Sequence, residues 1–159
     1  LPNSQALVLI ASPPLTNPID QSVFNPHPAA GLFFKEDLTE SDIDVIVSSL
    51  VYPGEDMAAE LKDELRRADP LSRKYIYQAI ATGNMKNEVA VAEKAIIPIA
   101  LIQGTSDQLI NSDYYARLNI PKLWKGQVQY IEKAGHTPQL EQPQAINNLL
   151  YNLIKDIRY

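Results

Sequence analysis

The chain has 159 residues, 45% of them hydrophobic, which is ordinary for a single globular domain with a real core. It has no run of about 18 apolar residues to span a membrane, and no cysteine for a disulfide, a thiolate nucleophile or a thiolate metal site. The net charge of −5 is uneven, with 14 acids against 8 bases in residues 1–95 and 5 against 6 in 96–159; no basic stripe favours nucleic acid as a partner.

The N-terminal stretch LPNSQALVLIASPP has neither an initiator methionine nor a basic signal-peptide region, and reads as a chain entered partway. A reducing, cytoplasmic setting is the default for a cysteine-free protein of this kind. Residues 6–11 (ALVLIA) form a short apolar run that predicts a core strand, ended by Ser12, Pro13 and Pro14. Five of the twelve prolines fall between residues 13 and 28, marking a crossing out of the core.

Helical signals then continue to residue 95. In LTESDIDVIVSSLVY the apolar Ile43, Ile46, Val47, Leu50 and Val51 share one face, Thr39 with Asp42 makes an acidic capping box, and Pro53-Gly54 stops the helix. A second helix is expected over about 55–68, with Met57, Leu61 and Leu65 at spacing four. A third follows Asp69-Pro70, with Leu71, Tyr75, Ala79 and Ile80 on one side and Gly83 as its stop. A weaker one covers about 86–94. This acidic segment reads as a solvated helical face rather than a cation site.

Two further strands are predicted, at 97–102 and 128–131, both short, apolar and β-branched. Between them lie a short helix over 112–118 and the loop NIPKLWKG, whose Trp124 reads as a packing anchor. The last helix starts near Pro143. Its stripe of Ala145, Ile146, Leu149, Leu150, Leu153, Ile154 and Ile157 has the 3.6-residue period of a helix packed on a sheet.

The chemistry gathers after the second and third strands. Each ends in a polar turn with one useful side chain, Asp107 in GTSDQ and His136 in AGHTP. Open α/β sheets bind ligands at the carboxyl ends of their strands. An Asp and a His there, 29 residues apart and in that order, are the last two members of a nucleophile–acid–base set. An imidazole can take and return a proton near neutrality, and an Asp on its other nitrogen fixes the tautomer. Ser106 and Asp113 are nearby alternatives to Asp107, which could also cap the 112–118 helix. Glu141 is expected to be structural, meeting the dipole at the start of the last helix. No G-x-S-x-G nucleophile motif occurs. His27 and His136, the only histidines, lack metal-binding spacing, so neither a metal nor a cofactor is expected.

This order of strand, helical insertion, strand–Asp, strand–G-H-x-P and final helix resembles the C-terminal half of an α/β-hydrolase with a cap domain. More narrowly, the segments ASPP, Phe24, FFKEDLTESD, ADPLSR, IPIALIQG, LWKG and AGHTP, followed by Glu141 and Pro143, resemble a metal-independent N-acylhomoserine lactonase. The resemblance implies an α/β fold with three parallel strands, flanking helices and a helical cap. It divides the chain into a core strand and exit loop (1–15), the cap (16–95) and a C-terminal core (96–159). The lactonase acid is a Glu that falls on Asp107, and its cap tyrosine falls on Ile46, with Tyr52 nearby on a different face.

The implied reaction is cofactor-free hydrolysis of an ester or lactone, possible only with a nucleophilic serine from an N-terminal half outside these residues. That half would also cover the open edge of the strand at 6–11. Phe24, Phe33, Phe34 and Ile46 are candidate acyl-pocket residues, each equally readable as plain core; Leu109 and Thr137, beside the two turns, join them. The alternatives are a non-catalytic fragment or protein-interaction module, or a capped hydrolase with an Asp nucleophile of the epoxide or haloalkane type.

Overall fold

A computed structural model describes residues 3–54 and 57–157. Three strands, β1 (Leu7–Ile10), β2 (Ile99–Gly104) and β3 (Gln129–Ile131), form one parallel sheet in the order β1-β2-β3. Leu7 pairs with Ile99, and Ile102 with Gln129. All six residues of β2 are buried. That is the burial expected of a strand covered on both faces, and the pleat divides its side chains between two layers. Ile99 and Leu101 pack with Ala92, Ile110, Tyr115 and Ile120 on one side. Ala100 and Ile102 pack on the other side with Ala134, Ile146, Leu153 and Trp124. β1, at the sheet edge, is only half covered, and Leu7 is exposed.

The helix α7 (Pro143–Ile157) lies under the Ala100–Ile102 face through Ile146, Leu149, Leu150 and Leu153. Ile154, counted in the predicted stripe, is exposed instead. Trp124 anchors the preceding loop against this helix, with its Nε1 donating to Asp156 at 2.9 Å.

Between β1 and β2 come α1 (Glu40–Leu50), α2 (Ala58–Arg67), α3 (Pro70–Ala81) and α4 (Glu88–Glu93). The first two residues of the predicted 55–68 helix lie outside the described residues. α1 buries Ile43, Ile46 and Val47, as its periodicity predicts. In α3 the predicted apolar face fails: Leu71 and Tyr75 are exposed, and no residue of the helix is buried. This helix is held by polar contacts, with Arg73 donating to the carbonyls of Lys35 and Glu36, and by Phe34 against Tyr77. The short turns at Gln21–Val23, Leu32–Phe34 and Trp124–Gly126, and the helix α6 (Pro138–Glu141), had no periodic signal, being too short to carry one. The predicted helix at 112–118 is shorter, and is α5 (Ser112–Tyr115).

The capping box at α1 gives a pH-dependent expectation. Hydrogen bonds from Lys35 first, then from the Thr39 backbone and hydroxyl, lower the Asp42 carboxyl from an ordinary 3.8 to about 2. A depressed carboxylate stabilises the fold above its unfolded value, and that contribution is lost as the pH falls through the folded one. The melting-temperature gap between wild type and Asp42→Asn should be constant above about pH 4 and close toward pH 2. A gap that persists unchanged at pH 2 would refute this.

Candidate active site

The carboxyl ends of β2 and β3 open into two turns that lie against each other. Thr105 N donates to Ile131 O and Ser106 N to Ala134 O, both at 2.9 Å. Gly104 makes the approach possible. A Cβ there would lie 2.1 Å from Gly135 O and 2.4 Å from Ala134 O, so only glycine fits. Gly135 does the same on the other side, where a Cβ would lie 2.9 Å from Leu50 O.

Both turns are tied to the last turn of α1, whose end carbonyls have no partner within the helix. His136 N donates to Leu50 O at 2.8 Å, Thr137 Oγ1 to Leu50 O at 3.3 Å, and Gln108 Nε2 to Ser48 O at 3.1 Å. Glu141 completes this latch. The sequence suggests that it meets the start of the last helix, but it ends α6 and turns its buried carboxylate inward. That carboxylate accepts from Gly135 N at 3.0 Å, Thr137 N at 3.2 Å and Tyr52 N at 2.5 Å. Main-chain donors hold the charge in place of a cation.

Within this frame His136 Nδ1 lies 2.9 Å from Asp107 Oδ2. The Asp107 side chain is 1% exposed, and that of His136 is 27% exposed. Asp107 Oδ1 accepts from Leu109 N at 2.8 Å and Ile110 N at 3.2 Å, which fixes the turn. The cap of α5 is Asn111, not Asp107. Of the two alternatives, Asp113 is exposed on α5 and Ser106 is engaged through its amide with the His136 loop. A carboxylate can only accept, so Nδ1 carries the proton and Nε2 is left as the basic nitrogen.

His136 lines a cavity of about 730 Å³. Phe24, Phe33, Phe34 and Leu109 are in its wall, together with Leu15 and Ile110. Ile46 and Thr137 are not in this wall. Ile46 faces inward from α1 and is fully buried, and the Thr137 hydroxyl is spent on Leu50 and Glu141.

Four polar wall residues were not singled out as site residues: Ser12, Gln21, Asn25 and His27. Asn25 pins the wall to the Asp107 turn, its amide donating to Leu109 O at 2.9 Å and its Nδ2 to Ile110 O at 3.1 Å. His27 Nδ1 accepts from Ala29 N at 3.1 Å, which places its ring proton on Nε2. Their only sequence signal was polarity within a proline-rich stretch. Among the described residues no cluster of three or more His, Cys, Asp or Glu could hold a metal ion, and no helix is long and apolar enough to cross a membrane.

No protein-family profile and no curated protein sequence matches this chain. Solved structures do. A mutant of the N-acyl homoserine lactonase AidH, in complex with N-hexanoyl homoserine lactone, superposes with a TM-score of 0.89 at 26% identity, over 98% of this chain and 57% of that one. The same lactonase with N-butanoyl homoserine bound gives 0.89 at 26%, covering 98% and 56%. A thermophilic esterase from Thermogutta terrifontis gives 0.70 at 13% identity, covering 98% and 57%, a likeness of fold alone. The chain thus spans a little over half the length of the proteins it matches. Nearly all of it corresponds to the C-terminal portion of an α/β-hydrolase fold, with three parallel strands and flanking helices, and it resembles an N-acyl homoserine lactonase.

Proposed function

We propose that this chain supplies the acid and the base of a serine hydrolase acting on carboxylic esters or lactones. The observation that carries the reading is the 2.9 Å bond from His136 Nδ1 to Asp107 Oδ2, made by a histidine that lines an apolar cavity. The bond leaves Nε2 as the proton acceptor. In the proposed cycle a serine from an N-terminal part outside these residues attacks the substrate carbonyl, and Nε2 takes its proton. The imidazolium returns that proton to the leaving alkoxide oxygen, and a water activated by Nε2 then releases the acyl group. Asp107 holds the Nδ1 proton and stabilises the imidazolium throughout. The reaction needs no metal and no cofactor.

Residues 16–95 act in this reading as a cap over the site, and Phe24, Phe33 and Phe34 supply apolar wall for an acyl chain. The likeness to AidH favours a lactone such as an N-acyl homoserine lactone within the ester class. The companion N-terminal half pairs with β1 and brings the serine.

The test is intact-mass analysis of the native protein with a fluorophosphonate probe, followed by peptide mapping. The expected result is one adduct, on a peptide outside residues 1–159, with loss of ester and lactone turnover. Turnover that survives the probe would point to a carboxylate nucleophile, and an adduct on Ser12 or Ser106 would place the nucleophile inside this chain. Either result overturns the proposal.

A further inference from the structure

Gln103 is the one polar side chain in the otherwise apolar strand β2, and it is completely buried. Burying an amide without partners is costly, yet both ends of this one are used. Its Nε2 donates to Asp107 Oδ2 at 2.6 Å, and its Oε1 accepts from the Tyr115 hydroxyl at 2.7 Å. The direction is forced. A carboxylate only accepts, so the amide must turn its nitrogen to Asp107 and its oxygen to Tyr115. Burial first, and the nearby Asp107 charge second, raise the Tyr115 ionisation well above its usual value, which keeps the hydroxyl a donor.

We propose that Gln103 and Tyr115 are positioning residues for the acid, a buried relay that aims Asp107 at His136. This rests on the Ser-His-Asp reading of the site. Asp107 carries four donors, two backbone amides on Oδ1, and Gln103 with His136 on Oδ2. With all four in place the carboxylate cannot rotate, and part of its charge is drawn toward Gln103 rather than His136. Removing the Gln103 donor turns more negative charge onto the imidazole and favours imidazolium, which is inactive as a base. The other ionisable groups here are Tyr115, Tyr130, which acts on Tyr115, and Glu141, held by the amides flanking His136. A change at Gln103 leaves Tyr130 and Glu141 untouched; it takes the acceptor from Tyr115, whose hydroxyl stays neutral because burial holds its ionisation up.

The variants are Gln103→Met, which keeps the shape and loses the donor, and Tyr115→Phe, which keeps the packing and frees the amide to flip. In the native protein, Gln103→Met should lower kcat about 10- to 100-fold, the range seen when partners that orient metal-bound histidines are removed. KM should stay nearly constant, and the acidic limb of the pH–rate profile should move to higher pH. Tyr115→Phe should act in the same direction and less strongly. A lower melting temperature with an unmoved limb and unchanged kcat would reduce the pair to core filling and overturn the proposal. Wild type that hydrolyses nothing would instead sink the reading of the site. The His136 ring titration followed by NMR would then still decide, with an upward shift in Gln103→Met supporting the pair and no shift refuting it.

Discussion

Replacing His136 with alanine should abolish ester or lactone turnover, with a loss on the order of 10⁴-fold or more, and leave the fold nearly as stable. The two halves of this expectation have separate origins. Turnover fails because Nε2 is the only proton shuttle in the proposed cycle, and no other imidazole adjoins Asp107. Stability survives because the contacts that build the loop are main-chain contacts. The amide of residue 136 still reaches Leu50 O, and the Glu141 latch on Gly135, Thr137 and Tyr52 is untouched. Asp107 keeps three of its four donors, from Gln103, Leu109 and Ile110. Activity assays beside thermal melts check both halves. Activity within tenfold of wild type would remove His136 from the mechanism, and a collapse in melting temperature would show the side chain to be part of the core.

The sequence carried the frame of this site but not its supports. Asp107 and His136 were legible because each ends an apolar β-branched run at a turn, a local pattern that needs no knowledge of the rest of the chain. α1 was legible from its 3.6-residue stripe and Thr39–Asp42 cap. Gln103 was not, because a polar residue at a strand end has no reading until its partner is known, and Tyr115 lies twelve residues away on another element. Glu141 was placed near a helix start by its distance from Pro143, yet its partners include Tyr52, 89 residues earlier. The expected apolar face of α3 failed for a physical reason. Periodicity tells which side chains share a face, not what that face meets.

The same distinction makes Gly104 the most severe single position in the site. Gly104→Ala should cost about 3 kcal/mol or more, at or beyond the upper end for overpacking. The added Cβ would lie 2.1 Å from Gly135 O, 2.4 Å from Ala134 O and 2.7 Å from Ala134 C, all main-chain atoms of the loop that carries His136. No rotamer change relieves such a clash, so the loop must retreat. It is held from behind, since Gly135 already sits against Leu50 and Val51 and its amide is bound by Glu141. Ser106 N to Ala134 O ties it from the front. A retreat of about 1 Å would also pull the imidazole off Asp107, and misplacement on that scale can cost about 10²-fold in rate. Gly31→Ala is the control. Its backbone is ordinary, with φ at −73°, and a Cβ there meets nothing within 4 Å, so it should melt like wild type. If the two variants melted alike and both stayed active, the two turns could not lie against each other as closely as their hydrogen bonds require.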